Sequence, residues 1–154
     1  MSNYQTIVVP YDFSEHADAA LNTALDLARR LKSDIYLLHV VQLPAYTYPA
    51  FQGVAASPQA DMVQVRDGAM QSLREVVQAI EDAPGKVEGQ VVEGATIVEM
   101  IRQFAEEVGA DLIVMGTHGR TGIAHVFLGS VAERMLRNAP CPVLTVQAKD
   151  QEEG

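Results

Sequence analysis

Short apolar runs alternating with stretches of helical periodicity constrain this chain more than any other feature. Ile7-Val8-Val9 is unbroken by polar residues, and Leu112-Ile113-Val114-Met115 is another such run. Both read as strands buried on two faces, the first spanning Tyr4 to Pro10. Ile35 to Val41 is the second strand, with His39 as its polar member, best read as a core histidine satisfied by a hydrogen bond. Lys86 to Glu93 alternates as a half-solvated edge strand does, and Val143-Leu144-Thr145-Val146 follows Pro142 as the last strand. Between them, apolar residues recur at helical spacing: Ala17, Ala20, Leu21, Ala24, Leu27, Ala28 and Leu31, then Met62, Val65, Ala69, Leu73, Val76, Val77 and Ile80 within Asp61 to Glu81. Ile97, Val98, Ile101, Phe104, Ala105 and Val108 mark a third helix, and Val131, Ala132, Met135, Leu136 and Ala139 a fourth. Ser14 is placed to cap the first helix, and Thr96 with Glu99 forms a capping box for the third.

Five strands alternating with four helices predict an α/β fold, an open parallel five-stranded sheet with helices on both faces. Right-handed crossovers limit the arrangements, and the order expected is 3-2-1-4-5. The chain then reverses direction between the first and fourth strands, and ligands of such sheets bind beyond the carboxyl ends at that point. The segments expected to meet there are Pro10-Tyr11-Asp12 and Met115 to Gly119.

The second of these segments carries a glycine pattern. Gly116 ends the fourth strand, Gly119 follows His118, and Gly129-Ser130 opens the fourth helix, with Arg120, Thr121, Gly122 and His125 between. Glycines let successive amides turn toward one point, and a helix N-terminus adds roughly half a positive charge, so an anion such as phosphate is a natural occupant. A purely structural reading stands beside this one, because Ser130 and Glu133 also make a capping box that needs no ligand. Asp12, likewise, is in isolation more often a turn-former than a ligand group.

The pattern Gly116-x2-Gly119-x9-Gly129-Ser130, closed by Pro142-Val143-Leu144, resembles the nucleotide-binding signature of the universal stress protein family. The opening Ile7-Val8-Val9-Pro10-Tyr11-Asp12-Phe13-Ser14 and the segment Leu37-Leu38-His39-Val40 resemble that family's first two strands, so the likeness runs from about Tyr4 to Gln147. It implies a Rossmann-like fold of the adenine nucleotide alpha hydrolase type and membership of the ATP-binding subgroup. It further implies that Pro10, Asp12 and Val40 meet adenine or ribose and that Met115 and Gly116 lie near the ribose, with Tyr11 among the nucleotide-binding residues. Gly119, Gly129, Ser130 and Val131 would hold the phosphates, with His118 and Arg120 beside them. Asp12 would help hold Mg2+ on the phosphates, since a carboxylate alone repels them. The expected role is a regulatory or signalling module, an ATP-binding homodimer joined through the C-terminal strand and acting on a protein partner. The alternative is a slow ATP hydrolase or nucleotidyl-transfer enzyme. No G-x-x-x-x-G-K-[ST] loop exists and no lysine lies in the signature, so rapid turnover is not expected.

Composition narrows the function further. Twenty acidic residues against 11 basic ones give a net charge of −9, which repels nucleic acid and anionic lipid. No apolar run approaches the length needed to span a bilayer, so no membrane insertion is expected and the cytoplasm is the expected location. Cys141 has no partner for a disulfide. Residues 1–147 are read as the nucleotide-binding domain and 148–154 as an acidic tail. The uncharged, proline-bearing stretch from Gln42 to Ala60 is expected to be a mobile or functional loop.

Overall fold

The computed structural model describes residues 3–43, 58–118 and 128–148. Most of the Gln42 to Ala60 stretch and the tail from Lys149 lie outside them. The elements are β1 (Thr6–Pro10), α1 (Glu15–Leu31), β2 (Asp34–Gln42), α2 (Pro58–Gln78), β3 (Val87–Gly94), α3 (Ile97–Glu107), β4 (Leu112–Gly116), α4 (Ser130–Asn138) and β5 (Val143–Val146). All strand pairs are parallel, in the order β3-β2-β1-β4-β5. The expected order therefore holds, and β1 and β4 are neighbours at the switch point.

Burial on both faces explains the unbroken apolar runs. Ile7 and Val9 pack toward α1 and α2, whereas Val8 between them packs toward α3 and α4, and all three are 0% exposed. Helices thus cover both faces, as a parallel sheet requires. None of the helices among the described residues is long and apolar enough to cross a membrane.

The helices follow the predicted stripes with specific departures. Leu25 joins the buried line of α1, while Leu31, expected in it, is 41% exposed at the helix's last position. Val65 of α2 stands about 80° around the helix from Leu73 and is exposed. Met70 packs in the line instead. Leu136 of α4 is also exposed, beyond the stripe made by Ala132 and Met135. α2 begins at Pro58 rather than Asp61, because proline's fixed φ and missing N–H suit a first helical turn.

Both capping boxes are absent. Thr96 is the N-cap of α3 but makes no side-chain cap hydrogen bond. Glu99 instead accepts from Arg102 and Gln103 on its own helix. At α4 the N-cap is Gly129, which has no side chain to cap with, so Ser130 is the first helical residue. Glu133 there pairs with Arg137.

Candidate functional site

Because β1 and β4 are parallel neighbours, their carboxyl ends emerge side by side, and everything that follows each strand gathers at that edge. After β1 the chain turns through Tyr11 to Ser14 into α1. Ser14 is the N-cap of α1: its hydroxyl accepts from the Ala17 amide at 3.1 Å and donates to Asp12 Oδ1. That same Oδ1 accepts from the Ser14 amide at 3.0 Å. The carboxylate of Asp12 is thereby oriented by the helix start, where the helix dipole favours negative charge.

Tyr11 goes elsewhere. Its ring is buried in the layer under α1 and α2, and its hydroxyl donates to Asp18 of α1. Burial, then the hydrogen bond to Asp18 and the charges of Asp18 and Asp12, hold its phenol well above the ordinary tyrosine range. Only its backbone lies along the path between β1 and the turn. Val40 and Met115, by contrast, belong with Val131 of α4 to the opposite layer, packed with Leu38 and Ile113. The structure therefore brings Pro10, Asp12, Val40, Met115, Gly116 and Val131 to the carboxyl end of the sheet from four separate elements. Gly119 and Arg120 lie outside the described residues.

Thr117, which the sequence reading passed over, organises the exit from β4. Its amide donates to Val146 O at 3.1 Å and its carbonyl accepts from the Gly129 amide at 2.6 Å. Its hydroxyl contacts His118 Nδ1 at 3.0 Å, and the residue is buried. The signal available in the sequence was a hydroxyl residue set directly behind Gly116. Through this bond the N-terminus of α4 is tied to the residue that leaves β4.

The glycines have reasons in the protein itself. A Cβ on Gly116 would stand 2.8 Å from both Cβ and the carbonyl oxygen of His16, and one on Gly129 would stand 2.9 Å from Thr117 O. Gly116 thus lets the first turn of α1 rest on the end of β4. His16 packs its ring 5.3 Å from that of His118, and its Nδ1 is buried with no hydrogen-bond partner among the described residues.

Phosphate suits the donors this arrangement offers. An α-helix leaves its first amides without intrahelical acceptors, and at α4 no cap side chain takes one up, while the exposed Ser130 stands beside them. For a cation the described residues offer less: no cluster of three or more His, Cys, Asp or Glu is present among them. A magnesium ion held chiefly by phosphate oxygens and water needs only one or two carboxylates, a demand Asp12 alone can meet.

The model of the "Universal stress protein family" matches residues 3–147. A universal stress protein of Methanocaldococcus jannaschii is 34% identical over 151 residues, 97% of this chain and 85% of that protein. The solved structure of a second protein of that organism, MJ0577, is 30% identical with a TM-score of 0.77, covering 96% of this chain and 99% of that one. A universal stress protein solved in complex with cAMP is 26% identical with a TM-score of 0.60, covering 95% of this chain and 98% of that one. With a family match over residues 3–147 and a relative 34% identical across 97% of its length, this chain belongs to the universal stress protein family.

Proposed function

We propose that this chain binds an adenine nucleotide, ATP with Mg2+ first among them, at the carboxyl ends of β1 and β4, and acts as a regulatory module of the stress response in the cytoplasm. The observation that carries the reading is the bond from the Gly129 amide to Thr117 O, which ties the end of β4 to a helix N-terminus whose cap residue, a glycine, brings no side chain to its amides. A phosphate chain there would meet the amides of Ser130 and Val131 and the Ser130 hydroxyl, with Gly119, His118 and Arg120 completing the surround. Pro10, the Tyr11 backbone, Asp12 and Val40 form the base and ribose end, next to Met115 and Gly116. Asp12 would carry the protein's contact to Mg2+. The family relative that holds cAMP supports an adenine nucleotide as the ligand class.

Mass spectrometry of the supernatant after denaturing freshly purified protein tests this directly. Release of an adenine nucleotide in near-stoichiometric amount is expected. Failing retention, added ATP with Mg2+ should raise the melting temperature, because a ligand that binds only the folded state stabilises it by mass action. No retained nucleotide and no shift with ATP, AMP or cAMP would overturn the reading.

The same proposal includes a homodimer through β5. Among the described residues that strand pairs with β4 alone, and Leu144 on it is 38% exposed. An apolar edge of this kind is a template for a second copy across a two-fold axis.

A further inference from the structure

His39 sits beside the turn that carries Asp12, and the two are linked through backbone. The Tyr11 carbonyl lies 2.8 Å from His39 Nδ1. A carbonyl oxygen can only accept, so Nδ1 carries the proton and the tautomer is set. The Tyr11 amide, in turn, donates to Leu38 O at 2.8 Å. Both backbone groups of Tyr11 are therefore held by consecutive residues of β2.

Two positions later, Phe13 has φ of +64°. Residues with a Cβ rarely adopt that left-handed conformation, and where one does the surroundings must enforce it. The contacts to its ring come from Tyr11 and His39. The Phe13 ring lies edge-on to Tyr11 with centroids 5.1 Å apart, and tilted against His39 at 5.0 Å. Asp12, between Tyr11 and Phe13, thus has both chain neighbours fixed, and its Oδ1 is turned toward Ser14.

We infer that His39 is a positioning residue: its Nδ1–H and its ring hold the Tyr11-to-Ser14 turn in a strained shape that presets Asp12 for the ligand. This rests on the nucleotide reading above for what the turn serves, but not for what holds it. A preset turn spares the ligand the cost of ordering it on binding.

Two substitutions separate the hydrogen bond from simple packing. His39→Phe keeps a ring against Phe13 and removes the donor. His39→Asn removes the ring and keeps an N–H close to the position of Nδ1. Amide hydrogen exchange, measured without ligand, should speed up at Tyr11 and Ser14, whose amides are bonded in the turn, in His39→Phe while Ile7 to Val9 and Ile113 to Val114 stay as protected as in the parent. ATP affinity by calorimetry should fall about tenfold in His39→Phe, the scale of one hydrogen bond, and His39→Asn should restore most of it. Unchanged exchange in the turn, or equal loss of protection throughout the sheet, overturns the inference. So does a loosened turn with undiminished ATP affinity. If the parent binds no adenine nucleotide at all, the functional reading fails, and the exchange contrast alone decides whether His39 holds the turn.

Discussion

The Tyr11 hydroxyl shows how a residue chosen for its place in a motif can be spent on the scaffold instead. Its bond to Asp18 ties β1 to α1, and Tyr11→Phe should lower stability by about 1 kcal/mol at neutral pH, read from urea unfolding. The pH dependence has a definite sign. The folded phenol is held above its ordinary value, so its contribution is intact below pH ~10 and is lost as pH rises beyond that, where the unfolded chain releases the proton and the folded chain does not. The parent should therefore lose stability above that pH more steeply than Tyr11→Phe. Ser130 is the converse case. A capping hydroxyl would be worth about 1 kcal/mol, but here Gly129 holds the cap position. Ser130→Ala should change stability by no more than about 0.5 kcal/mol while weakening ATP binding, and a larger stability loss with unchanged affinity would return the residue to a structural role.

At the scale of elements, the contact between α1 and β4 depends on the absence of a side chain. Gly116→Ala would push a methyl into the backbone of the first turn of α1 at His16, and the strain should cost about 1–3 kcal/mol. Gly68 is the natural contrast, being inside α2 with open space where its Cβ would lie. Gly68→Ala should stabilise the protein by about 0.5–1 kcal/mol through helix propensity alone. Urea midpoints for the two variants check both signs in one experiment. The same comparison shows what was legible in the sequence: a glycine after an apolar run announced a turn, but nothing in the run revealed that His16, a hundred residues earlier, would occupy the space.

For the molecule as a whole, the edge formed by β5 is where the proposed dimer is tested. Light scattering at micromolar concentration should report a dimer for the parent, and Leu144→Lys should shift it to monomer by placing a charge where two edge strands would meet. A monomeric parent, or a Leu144→Lys dimer, would exclude this interface. The net charge of −9 also means that self-association has to overcome repulsion, so the dimer should strengthen with added salt.

The sequence by itself determined the elements, because hydrophobic period and strand-helix alternation are local properties, and right-handed crossovers narrowed the sheet orders to a few that include the one found. It also marked the two strand ends where the candidate site lies, since a switch point follows from strand order alone. Only the tertiary structure decided which contacts each marked residue makes. Whether Tyr11 faces a ligand or the core, whether Ser130 caps α4 or stands free of that task, and whether His39 is filler or a brace depend on contacts between residues 7 to more than 25 positions apart. Thr96 and Glu99 have the spacing of a capping box, yet Arg102 one turn on offers the carboxylate a charged partner and takes it. Local spacing states which bonds a side chain could make, and competition among the partners that folding brings within reach selects the one it makes.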